Sequence, residues 1–121
     1  MNFVDRWSYV HFMVGVYGCI ILKYFNFSDT KAFIIFFIIH SLYEIKDMML
    51  TYTFPNIKKT KCSLINENSW QNTVGDIIYS TLGFIFVVLL YNYPGQIPIF
   101  TSILTIPVFF IIYMYFKNYC T

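Results

Sequence analysis

Residues 36–51 read FFIIHSLYEIKDMMLT and residues 72–83 read NTVGDIIYSTLG. In the first stretch His40, Glu44, Asp47 and Thr51 recur at i, i+4, i+7 and i+11, which places them on one face of a helix. A strand would send Asp47 to the face opposite His40 and Glu44, so only the helical period makes the set coherent. In the second stretch Asn72, Asp76, Tyr79, Ser80 and Gly83 form a comparable stripe. Both stripes sit in sequence that is otherwise oily. The pair therefore reads as two transmembrane helices facing each other across a polar site.

The composition supports that setting. Of 121 residues, 58% are hydrophobic, 22% aromatic and only 12% charged, whereas a soluble domain is about half apolar and about a quarter charged. The expected fold is all-α, a single integral membrane domain over residues 1–121 built as a bundle of four transmembrane helices. A net charge of +2 is too small to argue for a nucleic-acid partner. Cys19, Cys62 and Cys120 share no metal or redox spacing and are odd in number, so free thiols are expected, with Cys62 and Cys120 as the two candidates for palmitate. Arg6, an apolar run and Val16-Tyr17-Gly18-Cys19 superficially resemble a lipoprotein signal. Tyr17 is bulky where a small residue is required and the run continues to Leu22, so a retained helix is expected.

Four helices are expected at about residues 8–25, 32–51, 72–91 and 96–116. In the first, His11, Gly15, Gly18 and Leu22 share a stripe where another helix can come close. There His11 is expected as a hydrogen-bonding residue near the membrane edge. Ser28 or Asp29 is positioned to cap the second helix, and Asn68 or Ser69 the third. Tyr93-Pro94-Gly95 forms a tight turn; Pro98 suits the first turn of the fourth helix, and Pro107 interrupts its middle. Thr101 and Thr105 are available there to satisfy neighbouring polar groups. The loop over residues 52–71 carries Lys58, Lys59 and Lys61. With Arg6 and Lys117 these outweigh Lys23 and Lys31 on the other side, which predicts cytoplasmic N- and C-termini and a cytoplasmic 52–71 loop.

That topology brings the polar residues to one depth. The second helix carries them in its last turns and the third in its first turns, so His40, Glu44, Asp47, Asn72, Asp76 and Ser80 are expected to line one site. A carboxylate in hydrocarbon costs about 2.5 to 3.5 kcal/mol on insertion scales, which turns such residues inward. Six polar groups exceed what helix pairing requires, so a functional pocket is favoured over structural glue. His40, Glu44, Asp47 and Asp76 form an oxygen-rich set suited to Mg²⁺ or Mn²⁺ and less to Zn²⁺, although their spacing is no specific metal signature. Three functions stay open. The leading one is binding of a lipid headgroup, or passage of a proton or cation, through Glu44, Asp47 and Asp76. The second is a membrane enzyme acting on a lipid-linked substrate with the same groups as metal ligands or acid and base, and the third is a structural subunit. The partners this implies are the bilayer and a lipid or ion ligand, with a second copy of the chain as a further candidate.

Asp76-Ile77-Ile78-Tyr79-Ser80-Thr81-Leu82-Gly83 resembles the D-x-x-x-N-x-x-G signature of the VanZ-like family of small multi-pass membrane proteins, with Ser80 in place of Asn. Glu44 stands where that family's preceding helix carries a glutamate, with Asp47 replacing its Gln. Asp5-Arg6 and His11-Phe12 resemble its opening D-K-x-x-H-F, with two extra residues between the pairs. The resemblance implies that the first three helices meet around Asp5, His11, Glu44, Asp76 and Gly83. It supplies no reaction.

Overall fold

A computed structural model describes residues 6–53 and 70–119 of the chain. Asp5, Lys58, Lys59, Lys61, Cys62, Asn68, Ser69 and Cys120, which entered the sequence reading, lie outside the described residues, as do the side chains of Arg6 and Thr51. Four helices follow one another: α1 (Arg6–Tyr24), α2 (Asp29–Thr53), α3 (Trp70–Leu90) and α4 (Ile97–Tyr119). The described residues contain no strand.

Local chemistry sets the ends of these helices. Asn26 adopts a left-handed φ of 66°, and the Phe27 N–H reaches back to the Leu22 carbonyl (3.3 Å) while that of Asn26 reaches Lys23 (3.0 Å). These two bonds form a Schellman close to α1, with Asn in a left-handed position that achiral Gly tolerates and most L-residues other than Asn and Asp avoid. Ser28 then caps α2, its hydroxyl accepting from the Lys31 N–H at 3.3 Å, so α2 begins at Asp29, one turn earlier than its apolar run. Asp29 bonds across the turn to Lys23 at 2.6 Å. Between α3 and α4 the chain makes a single 3-10 turn, Pro94–Gln96.

α1 is the central element. It packs chiefly on α3 and also meets α2 and α4, while α4 leans mainly on α1. The α1–α3 approach depends on two glycines. A Cβ on Gly15 would overlap the Ser80 carbonyl oxygen, and a Cβ on Gly83 would overlap that of Phe12. The two backbones thus touch at two reciprocal points, as small residues permit in closely crossed helices. At Gly18 a Cβ would stand 2.6 Å from the Phe36 ring, so this glycine admits α2. Tyr9 donates to the Leu104 carbonyl of α4. The Thr105 hydroxyl donates to Thr101 O at 2.6 Å, which leaves it to accept from Tyr17. Thr105 thus ties α4 to α1, while Thr101 contributes its backbone carbonyl to that link.

The ring contact of Trp7 with Tyr115, 5.2 Å between centroids, places the end of α4 beside the start of α1. Lys23, at the other end of α1, lies 5.4 Å over the Tyr91 ring beyond α3. The helices therefore run up, down, up, down.

Polarity in this bundle is inverted relative to a soluble protein. Among the described residues the buried set holds eight hydrophobic side chains but also seven polar or charged ones, Ser8, His40, Glu44, Asn72, Thr73, Asp76 and Ser80. Outside lie Phe37, Ile38 and Leu42 on α2, Ile78, Leu82 and Leu89 on α3, and Ile103, Ile106, Phe109 and Phe110 on α4. Apolar exposure on this scale marks a surface for contact with a membrane or a protein partner. α3 and α4 are each long and apolar enough to cross a membrane, with mean hydropathies of 2.0 and 2.1. In α1 and α2 the apolar runs are interrupted, by His11 and Lys23 in one and by Glu44, Lys46 and Asp47 in the other. Neither joins α3 and α4 in that class.

Candidate polar site

The site lies where α1, α2 and α3 meet, next to the glycine crossing. His11 stands one turn before Gly15 on α1, so the close approach that Gly15 permits carries the His11 ring between α2 and α3. Its Nδ1 is 3.4 Å from Glu44 Oε1 and its Nε2 is 3.3 Å from Asp76 Oδ2. One imidazole therefore bridges a carboxylate of α2 and a carboxylate of α3. His40, one turn before Glu44, points Nε2 toward the same Glu44 oxygen at 3.7 Å. The two histidine rings are 5.7 Å apart. His40 is held by stacking on Phe36, 5.5 Å between centroids and 6° from parallel, with Phe36 in turn stacked on Phe84 of α3.

Both central carboxylates are shut away from solvent: Glu44 is 1% exposed and Asp76 2%. Neutral imidazole has one donor nitrogen and one acceptor. With carboxylate oxygens at both nitrogens, a neutral His11 would aim one lone pair at an anionic oxygen. The arrangement is balanced only by an additional proton or by a cation at one of the two contacts.

A half-open cavity of about 470 Å³ runs along this cluster. His11, His40, Glu44, Asp47, Asn72 and Asp76 form its polar part, and Trp7, Val10, Val14, Phe36, Ile39 and Tyr43 its apolar and aromatic part. Of the residues singled out from sequence, His40, Glu44, Asp47, Asn72 and Asp76 thus border one space. Asp47 stands at the edge, paired with Lys46 at 3.2 Å. Ser80 does not line the cavity. Its hydroxyl donates to Ile77 O at 2.9 Å, within its own helix, and its carbonyl is the surface on which Gly15 rests. Ser80 is a packing residue of the helix crossing.

His11 is the residue whose expected role changes most. The helix-by-helix reading places it as an interfacial hydrogen-bonding group, and only the family resemblance sets it beside Glu44 and Asp76; in the fold it lies between those two carboxylates. Its membership of the Gly15–Gly18 stripe is the signal that marks it, because a side chain on the face of closest approach is necessarily interior. The site accordingly has three walls where the sequence outlines two.

The metal-ligand grouping changes as well. Among the described residues His11, His40 and Glu44 can hold a metal ion, each offering one atom, with all three atoms within 4.8 Å of one another. The set expected from sequence was His40, Glu44, Asp47 and Asp76. Asp47 and Asp76 fall outside the group, Asp76 because it faces the opposite nitrogen of His11. Cys19 is a buried free thiol in the apolar core and takes no part. The chain matches no family model, no curated protein and no solved structure.

Proposed function

We propose that the protein is a four-span integral membrane protein that binds a single amphiphile, a lipid headgroup lodged among His11, Glu44 and Asp76 with its chain along Val14, Phe36 and Ile39. The observation that carries this reading is the two-sided lining of the cavity, polar on one side and apolar on the other. Sites for amphiphiles need both in one cleft. Passage of a proton or cation is less well supported. Away from the cluster the bundle is filled by Val16, Cys19, Ala32, Phe84 and Val87, so the polar region reads as a cup and not as a path.

All four helices serve as spans in this proposal. α2 has 25 residues, about 37 Å at 1.5 Å per residue, and α1 has 19, about 28 Å, against a hydrocarbon thickness of about 30 Å. His11 of α1 and His40, Glu44 and Asp47 of α2 border the cavity, while Ile21 of α1 and Ile34, Phe37 and Ile38 of α2 are exposed on the outside, which offsets the cost of inserting the carboxylates. The lysine bias sets the termini and the 52–71 loop in the cytoplasm. The relation to the VanZ-like family belongs to the same proposal, on His11, Glu44, Asp76 and Gly83.

A role as structural glue has less support, since Gly15 and Gly83 already join α1 to α3 without any of the polar groups. A second reading, an enzyme acting on a lipid-linked substrate with a bound metal, is favoured by the His11, His40 and Glu44 grouping. For that reading the two imidazoles move the preferred ion away from the Mg²⁺ or Mn²⁺ expected from sequence and toward Zn²⁺ and similar imidazole-binding metals. The test is lipid retention. Wild-type protein purified in mild detergent is expected to keep one lipid per chain in native mass spectrometry, while Glu44→Gln and Asp76→Asn insert normally and lose it. Equal retention in all three proteins would overturn the proposal.

A further inference from the structure

We infer that His11 Nδ1, His40 Nε2 and Glu44 Oε1 form a three-ligand site for a divalent ion of the zinc class, with Asp76 as the carboxylate that orients His11. The inference goes beyond lipid binding and does not depend on it.

The geometry comes first. At Zn–N distances of about 2.0–2.1 Å and Zn–O of about 2.0–2.2 Å, tetrahedral ligand atoms stand roughly 3.3–3.5 Å from one another. His11 Nδ1 and Glu44 Oε1 are 3.4 Å apart, and His40 Nε2 and Glu44 Oε1 are 3.7 Å apart. One ring nitrogen of each histidine and a Glu44 oxygen lie within 4.8 Å of one another, so binding would draw the two imidazoles closer together. Two imidazoles and one carboxylate are a donor set that catalytic zinc sites use, with a fourth position left open. All three ligands line the cavity, so that position would open onto it.

A second observation points to a ligand independently of the spacing. His40 is nine-tenths buried, its side chain 9% exposed, yet its Nε2 has no hydrogen-bond partner. It points at Glu44 Oε1 from 3.7 Å. A buried imidazole nitrogen aimed at a carboxylate beyond hydrogen-bond range is costly as it stands and is satisfied by an ion between the two.

The surroundings of His11 complete the argument. Metal-bound histidines commonly donate their other N–H to a carboxylate, which fixes the tautomer and raises the basicity of the ligating nitrogen. Asp76 Oδ2, 3.3 Å from Nε2, occupies that place. With Nε2–H directed to Asp76, the lone pair of Nδ1 faces Glu44, and the cation resolves the opposition between lone pair and anion.

The test uses the full-length chain in detergent, with Zn²⁺ and Co²⁺ as probes. Wild-type protein is expected to take up one Zn²⁺ per chain, undisplaced by excess Mg²⁺, and Co²⁺ to give the intense visible bands of tetrahedral coordination. Asp76→Asn should weaken the affinity about 10- to 100-fold. His40→Ala and the bulkier His40→Gln should weaken it further and remove the tetrahedral bands, while Asp29→Asn, at an exposed acid in the far turn, retains wild-type affinity. Circular dichroism establishes that each variant is helical before titration. Failure of helical wild-type protein to take up Zn²⁺ saturably, uptake unchanged in both His40 variants, or weak octahedral Co²⁺ bands would overturn the inference.

Discussion

Replacing Gly83 by alanine tests the framework on which the site depends. The added Cβ would fall within the van der Waals envelope of the Phe12 carbonyl oxygen, 2.9 Å from the carbonyl carbon and 3.2 Å from Val16 N. Favourable contacts between such atoms begin near 3.5 Å, so α1 and α3 must part by roughly 1.5 Å, a gap that forfeits about half or more of each dispersion contact across it. Overpacking of this kind costs about 1 to 3 kcal/mol. The better helix propensity of alanine returns up to about 1 kcal/mol, for a net loss on the order of 1 to 2 kcal/mol. The same movement draws His11, on α1, away from Asp76, on α3, across a contact that is 3.3 Å long. The assay is unfolding of the protein in mixed micelles, followed by helical circular dichroism as the denaturing detergent fraction rises, with Gly95→Ala as the control. Gly95 has nothing within 4 Å of its Cβ position, so its variant should match wild type within about 0.5 kcal/mol. A Gly83→Ala protein as stable as Gly95→Ala would refute the close backbone crossing and, with it, the placement of His11.

Two further substitutions probe separate supports. Tyr17→Phe removes the hydroxyl that bonds to Thr105 and should lower stability by about 0.5 to 1.5 kcal/mol in the same assay, with no change if that bond between α1 and α4 is absent. Asn26→Val forces a β-branched residue into the left-handed close of α1 and should cost on the order of 1 to 2 kcal/mol, whereas Asn26→Gly should be neutral or better; equal effects would refute the turn geometry.

The four helices were legible because their signals are local. The helical periodicity of α1 and α2, the long apolar runs of α3 and α4, Ser28 ahead of α2 and Pro94 ahead of α4 are each read from the local sequence. The polar stripes were legible for the same reason: His40, Glu44 and Asp47 are neighbours on one helix face whatever that helix packs against. The burial of Glu44 also followed from solvation, since a carboxylate in an oily chain has few other places to go.

The assignments that changed all depend on which helix lies against which. His11 is a single histidine in an apolar run, and its proximity to Glu44 and Asp76 arises only when Gly15 and Gly83 let α1 settle between the other two. Ser80 carries the right chemistry at the right spacing, yet it is the residue on which Gly15 rests, and its hydroxyl turns back to Ile77. Asp76 moves from candidate ligand to partner of His11 because it meets the far nitrogen of the ring. By itself, then, the sequence determined the helices, their polar faces and the shared level of those faces, all set by periodicity and the cost of burying charge. The tertiary structure alone decided which groups touch, because contacts across helices depend on the depth of approach, and here two glycines set that depth.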